Sequence, residues 1–133
     1  MSNLTNLQVG DSLEEITLSP VSRMDLIKYS GASGDFNPIH TIDEEAEKAG
    51  LPGVIAHGMW TMGNLSKVFT SYYEEGFIEN FQVRFSGKVF LNDVLTLRAT
   101  LQEKNNETFS FKVNVSSQSE KVVMKGKVVF VTN

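Results

Sequence analysis

Apolar residues recur with a period of two along the second half of the chain. Phe81, Val83 and Phe85 alternate with polar neighbours, which is typical of a strand that buries one face. Three later segments repeat this alternation and predict three further strands, whose apolar positions are Leu95, Leu97, Ala99 and Leu101, then Phe109, Phe111, Val113 and Val115, and finally Val122, Met124, Gly126, Val128 and Phe130. Turn-forming residues at 91–93 and 103–107 separate the strands, so we predict an antiparallel meander.

The first half of the chain carries helix signals instead. The segment SRMDLIKYSGASG opens at Ser22 with a Ser-x-x-Asp capping pattern and predicts a helix that ends between residues 31 and 34. The segment TIDEEAEKAG predicts a second, short helix. Thr41 or Asp43 is expected to cap it, and Gly50 is expected to end it.

A third helix is predicted after the Pro-Gly turn of LPGVIAHGMWTMGNLSKVFTSYY. Its apolar residues point in nearly every direction around a helix: Met59, Trp60, Met62, Leu65, Val68, Phe69 and Tyr72. A helix that is apolar all round belongs inside a core. With an early strand near residues 15–18, the simplest arrangement wraps the apolar face of the sheet around this helix. We therefore predict an α+β fold, with residues 1–133 forming a single domain.

Composition narrows the function classes. The 133 residues include no cysteine, which excludes disulfides, thiolate nucleophiles and thiolate metal sites. No apolar run approaches the ~18 residues of a membrane span and the first residues do not resemble a signal peptide, so we expect a soluble, cytoplasmic protein with no membrane partner. The net charge is −4 and the twelve Lys and Arg are scattered along the sequence. We therefore expect no nucleic-acid partner, although a small ligand with a few phosphates stays possible.

Candidate chemistry lies in SGASGDFNPIHTID, where Asp35 and His40 are five residues apart. At neutral pH an aspartate is an anion and a histidine is mostly a neutral base, and two such groups can hold one water molecule. Pro38 biases Asn37 away from helix, so the segment must loop. Alternatively, Asp35 and Asn37 only form turn hydrogen bonds while His40 is a partly buried polar residue. The local pattern leaves both interpretations open.

A second candidate is AHGM at the predicted start of the third helix. Free N–H groups and the positive end of the helix dipole at His57 and Gly58 would stabilise developing negative charge. Alternatively, His57 caps the helix and Gly58 only permits close packing. A zinc site would need His40 and His57 to converge with carboxylates, but the histidines lie far apart in sequence without helical ligand spacing. We predict no metal.

Residues 32–63, ASGDFNPIHTIDEEAEKAGLPGVIAHGMWTMG, resemble the signature of the MaoC-like hydratases. This family includes R-specific enoyl-CoA hydratases and bacterial 3-hydroxyacyl dehydratase subunits. The segment VRFSGKVFLNDVLTLRATL is similar to the family more weakly, and Asn92 departs from an expected glycine in a turn. The resemblance implies the hot-dog fold, in which an antiparallel β-sheet wraps around a long central α-helix.

The same resemblance implies site residues and a reaction. The family's catalytic pair falls on Asp35 and His40, and Gly58 matches the glycine whose N–H binds the thioester oxygen. Three other residues are expected around the substrate: Asn37, His57 and Ser66. The implied reaction is reversible hydration of trans-2-enoyl thioesters of CoA or acyl carrier protein to (R)-3-hydroxyacyl thioesters, in fatty acid metabolism. No redox cofactor or metal is required.

Three alternatives remain open at this point. They are a non-catalytic partner subunit of a heterodimeric dehydratase, a thioesterase on the same fold, and a plain acyl-thioester binder. We expect a homodimer, because a small sheet around one helix leaves edge strands that pair with another subunit. Lys67, Arg84 and Lys88 are candidates for the CoA phosphates, but ordinary surface charges would look the same.

Overall fold

A five-stranded antiparallel sheet forms most of the structure, a computed structural model that describes residues 3–133. The strands are β1 (Ile16–Thr17), β2 (Gly76–Phe85), β3 (Thr96–Asn105), β4 (Thr108–Ser116) and β5 (Val122–Thr132). They lie in the order β1-β3-β4-β5-β2. The predicted early strand and the four later ones are all present.

The predicted meander is confirmed for β3, β4 and β5 but is wrong for β2. This strand pairs antiparallel with β5 at the far end of the sheet, with Arg84 opposite Lys125. The place beside β3 is taken by β1, where Ile16 lies opposite Leu97. The chain therefore crosses between β2 and β3, and the turn around Asn92 leads into β3 without joining two neighbours.

The inward alternation holds along β3 and β4 and breaks at the start of β5. The pairing register shifts between Val115 and Ser116, so that Val122 lies opposite Ser116. Val122 is consequently exposed, whereas Val123 and Met124 are both buried. The prediction of Val122 as an inward position is wrong because of this irregularity.

The helices follow the sequence signals closely. They are α1 (Arg23–Ser33), α2 (Asp43–Lys48) and α3 (Gly58–Leu65), with short 3-10 helices at Leu4–Asn6, Pro38–His40 and Ser66–Tyr72. The capping box of α1 forms between Ser22 and Asp25, and the helix ends at Gly34 with a positive φ of 79°. Within residues 3–133, no helix combines the length and the apolar character needed to cross a bilayer.

The predicted cap of α2 is wrong. Ile42 occupies the N-cap position, and no side chain caps the helix. Asp43 is the first helical residue, and its carboxylate pairs with Arg23 at 2.8 Å. Gly50 follows the end of α2 with a φ of 86°, a conformation that glycine adopts without strain.

The central helix is α3, continued directly by the 3-10 helix at Ser66–Tyr72. Leu65 and Phe69 are fully buried, and the Phe69 ring lies 5.2 Å from that of Phe111 in β4. The sheet therefore packs around this segment as the hot-dog arrangement requires, although the α-helical part has only eight residues. Met59 in its first turn is 57% exposed, so the prediction of complete burial is wrong at that end.

The outer face of the sheet carries a cluster of four cations that the sequence did not reveal. Arg84 lies opposite Lys125, and Lys112 lies opposite Lys127, on the three adjacent strands β2, β5 and β4. The cations are scattered along the sequence, and the strand register brings these four together from distant parts of the chain. Like charges directly opposite each other destabilise a sheet.

Replacing Lys127 by Gln should therefore stabilise the protein. We expect the free energy of unfolding to rise by about 0.5 kcal/mol at low ionic strength and the gain to shrink in high salt. Urea unfolding at two salt concentrations measures this. Lys48→Gln is the control. Lys48 lies 3.5 Å from Glu45, so removing its charge should lower the free energy of unfolding instead of raising it. A loss of stability in Lys127→Gln at low salt would contradict the interpretation.

Candidate active site

The loop after α1 brings Asp35 and His40 to face each other. The Asn37 N–H donates to Asp35 Oδ1 at 3.2 Å, and Asn37 Oδ1 accepts from the Ile39 N–H at 3.2 Å. These turn bonds hold the segment that carries His40, whose Nε2 lies 3.9 Å from Asp35 Oδ2. The turn bonds of the alternative interpretation are therefore present, and they place the carboxylate beside the imidazole.

The backbone selects the tautomer of His40. Its Nδ1 lies 2.7 Å from the carbonyl oxygen of Ile55, which can only accept, so Nδ1 carries the proton. Nε2 keeps its lone pair and faces Asp35. A separation of 3.9 Å is too long for a direct hydrogen bond, and one water molecule can bridge the two groups. The pair can hold a water and accept its proton.

A cavity of about 690 Å³ opens beside this pair, within the usual size range of small-ligand sites. Asp35, His40 and Gly58 form a polar end of this cavity, while residues such as Val89 and Met124 form part of its apolar wall. Asp35 is exposed and His40 is almost completely buried. The arrangement fits an acyl chain whose reactive end carries polar groups.

Gly58 begins α3 and contributes to the cavity lining. The first N–H groups of a helix have no acceptor within the helix and lie at the positive end of its dipole. A Cβ at this position would lie only 2.9 Å from the ring of Phe85. Glycine therefore allows the Phe85 ring to lie close to the backbone at the start of α3, which a larger residue would not without a shift of the ring.

His57 is buried beside His40, which the sequence did not reveal. The two rings stack with centroids 3.8 Å apart and planes inclined by 23°. His57 Nε2 lies 3.1 Å from Ser30 Oγ in α1 and 3.3 Å from the backbone oxygen of Asp35. His57 occupies the N-cap position of α3, as the capping alternative predicted, but its side chain makes no cap bond to the helix. No pattern in the sequence singled out Ser30.

The pKa of His57 is lowered from the ordinary imidazole value, first by burial and then by the charge that His40 carries when protonated. Asp35 opposes this shift through its backbone hydrogen bond and its charge, and the Tyr29 ring packs edge-on at 4.8 Å. The folded protein therefore keeps His57 neutral at pH values where the unfolded chain binds a proton.

Stability should consequently depend on pH through His57. A lowered pKa in the folded state gives a contribution that is fully present above the unfolded value of about 6.5 and is lost as the pH falls below it. Urea unfolding at pH 7.5 and 5.5 should show a smaller decline for His57→Gln than for the wild type. Equal declines in the two proteins would exclude His57 as the group responsible.

Asp35, His40 and His57 also have ligand-type atoms within 4.8 Å of one another. The argument that distance in sequence separates the histidines is therefore wrong. Their geometry nevertheless suits a metal poorly, because a metal bound by imidazole lies near the ring plane and these planes are stacked. His57 Nε2 also already contacts Ser30 and the Asp35 backbone. The expectation of no metal stays a prediction.

Two predicted site residues lie apart from this group. Asn37 is exposed and shapes the loop through its turn bonds, without lining the cavity. Ser66 donates its hydroxyl to the Gly63 carbonyl at 2.6 Å and does not line the cavity either. Among the candidate cations, Lys88 lines the cavity, whereas Lys67 and Arg84 do not.

Comparison with known proteins supports this picture. The family described as MaoC like domain matches residues 5–123. A mitochondrial 3-hydroxyacyl-[acyl-carrier-protein] dehydratase of Arabidopsis thaliana is 26% identical over 132 residues, covering 96% of this chain and 78% of that protein. The unliganded R-hydratase PhaJ1 of Pseudomonas aeruginosa superimposes with a TM-score of 0.88 at 26% identity, covering 96% of this chain and 83% of that one.

A higher local identity occurs with a much longer protein. The fatty acid synthase subunit beta of Aspergillus oryzae is 40% identical over 79 residues, which cover 56% of this chain but only 4% of that protein. The structural superposition confirms the hot-dog fold. Because the family match extends over most of the 133 residues, this chain belongs to the MaoC-like domain family.

Proposed function

We propose that the protein catalyses the reversible hydration of trans-2-enoyl thioesters to (R)-3-hydroxyacyl thioesters, with CoA or acyl carrier protein as the acyl carrier. The observation that carries this proposal is the free Nε2 of His40, 3.9 Å from Asp35 Oδ2 at the polar end of an apolar cavity. Gly58, at the start of α3, lines the same cavity.

The geometry suggests how the reaction proceeds. The Gly58 N–H would bind the thioester carbonyl oxygen and stabilise the enolate-like charge that develops there. Asp35 and His40 would hold the water, and His40 Nε2 would accept one of its protons while the oxygen bonds to C3. One group of the pair would then return a proton to C2. Water has by then been added completely across the double bond, and no electrons are transferred to or from a cofactor.

The comparisons favour this chemistry without identifying the substrate. The names of the plant and Pseudomonas proteins describe a dehydratase and an R-hydratase, which are opposite directions of one type of reaction. The relatives include a protein named for acyl carrier protein substrates and one named 3-hydroxybutyryl-CoA dehydratase, so both carriers stay open. Fatty acid metabolism is the corresponding setting.

The test is to mix purified protein with crotonyl-CoA and follow the absorbance of the conjugated thioester. A parallel assay measures free thiol, and chiral analysis of the product determines its configuration. We expect absorbance loss without thiol release, an (R) product, and a reaction at least about 10²-fold slower in His40→Ala. Thiol release would instead indicate a thioesterase. No reaction with crotonyl-CoA, longer enoyl-CoAs or carrier-bound enoyl chains would favour a partner subunit or a binder.

We also propose a cytoplasmic homodimer. Strand β2 lies at one end of the sheet, and Phe77 and Phe85 on this strand are each 53% exposed. Met59, which lines the cavity with Phe85, is 57% exposed. Pairing through this edge would cover large apolar side chains beside the cavity. Sedimentation equilibrium measures the mass of the assembly, and a monomer at micromolar concentration would refute this part of the proposal.

A further inference from the structure

We propose that His57 is a positioning residue, which holds Asp35 and His40 at a fixed place relative to the Gly58 N–H without contacting the substrate. This inference rests on the proposed function. The sequence favoured a role for His57 around the substrate, and His57 does contribute to the cavity lining, but the residue is only 2% exposed and so offers a substrate almost no surface. The contacts that His57 makes with the Asp35 loop and with His40 indicate the role of this buried imidazole.

The first contact fixes the loop that carries Asp35. The Asp35 backbone oxygen can only accept, so the 3.3 Å contact with His57 Nε2 is a hydrogen bond only if Nε2 carries the proton. Ser30 Oγ, 3.1 Å from the same nitrogen, then accepts as a second partner. His57 Nδ1, which is buried without a hydrogen-bond partner, is left as a bare acceptor and not as an unsatisfied donor.

The second contact fixes the ring of His40. The face of His57 stacks on that of His40 at 3.8 Å, and the His40 Nδ1 bond to Ile55 sets its orientation within the ring plane. The two histidines therefore have opposite tautomers. His57 carries its proton on Nε2 and holds the backbone, while His40 keeps Nε2 unprotonated for catalysis.

The third connection is covalent. His57 directly precedes Gly58, so the residue that holds the loop is bonded to the residue that presents the N–H to the thioester. Ser30 anchors the imidazole to α1, and Asp35 follows Gly34, the C-cap of that helix. Small displacements of reacting groups cost large factors in rate. Fixing the distance from Asp35 and His40 to the Gly58 N–H therefore matters more for kcat than for substrate affinity.

Two substitutions separate the hydrogen bond from the stacked ring. Gln places an N–H donor close to the position of His Nε2 but lacks the ring, whereas Phe keeps a ring and removes the donor. We expect His57→Phe to lower kcat by about 10- to 100-fold with little change in KM. His57→Gln should recover most of that loss, to within roughly fivefold of the wild type, because the bond to the Asp35 backbone can re-form.

A core substitution controls for general loss of stability. Val113 in β4 is fully buried and does not line the cavity. Val113→Ala should lower the melting temperature and leave kcat unchanged. If His57→Phe lowers kcat while losing no more stability than Val113→Ala, the loss of kcat is specific to His57. A rise in KM at constant kcat would overturn the proposal, because it would mean that His57 binds substrate. Equal losses in the Phe and Gln variants would also overturn it.

Nitrogen NMR of the wild-type histidines tests the same geometry without variants or turnover. We expect His57 to be protonated at Nε2 only, and His40 at Nδ1 only, at pH 7.5. The reverse tautomer of His57 would overturn the proposal, even if the variants fail to fold. This measurement also separates the inference from the proposed function, because the tautomers are observable in a protein that hydrates none of the substrates tested.

Discussion

His40→Ala is expected to lower kcat for enoyl-thioester hydration by at least about 10²-fold, the loss typical of a positioned acid/base group. The substitution removes the Nε2 lone pair that faces Asp35 and the ring that stacks on His57. Steady-state kinetics with crotonyl-CoA measure the loss. Circular dichroism and a melting temperature establish whether the variant is folded.

A second variant at this position separates chemistry from structure. His40→Asn can still donate an N–H to the Ile55 carbonyl, as Nδ1 does in the wild type, but it supplies no base. We expect it to be about as inactive as the alanine variant while remaining closer to wild-type stability. Substantial turnover by His40→Asn would contradict a role of His40 as the base.

Asp35→Asn is expected to lower kcat by a comparable factor of at least about 10². The amide removes the negative charge that orients the water and would stabilise a protonated His40. The amide oxygen can still accept the bond that the Asn37 N–H makes to Asp35 Oδ1, so the loop should keep its shape. The loss should therefore appear in turnover and not in folding.

Calorimetric titration with butyryl-CoA, which has no double bond to hydrate, completes this test. Wild type and Asp35→Asn should bind it with similar affinity, because the cavity walls and Gly58 are unchanged. A variant that loses affinity and turnover together would point to a role of Asp35 in binding. If both proteins bind butyryl-CoA equally well and neither hydrates an enoyl thioester, the protein is better described as a plain acyl-thioester binder.

The strands and the first helix were predictable because local sequence determines them. Alternation of large apolar residues marks β3 and β4, where one face is buried. The Ser22–Asp25 pattern forms the capping box that was predicted from spacing alone. Asp35 and His40 are likewise close enough in sequence for one turn to bring them together, so their pairing could also be predicted from the sequence.

The remaining features depend on contacts between distant segments. The neighbour of β2 is set by how the chain crosses the sheet, and the stacking of His40 on His57 by how the loop packs against the start of α3. Ser30 is a single serine within a helix, and no sequence pattern indicates that it contacts His57. The exposure of Met59 likewise depends on which segments pack against the start of α3, which apolar periodicity does not describe.

The hydrogen bond from His40 to Ile55 has a consequence for how the site can change during evolution. The acceptor is a main-chain oxygen, so any residue at position 55 that keeps the backbone path supplies it equally well. A histidine oriented by an acidic side chain can lose its partner through a single codon change. Here no such change at position 55 removes the acceptor. Because Ile55 also lines the cavity, scanning mutagenesis there should change packing and the shape of the cavity while the orientation of the base persists.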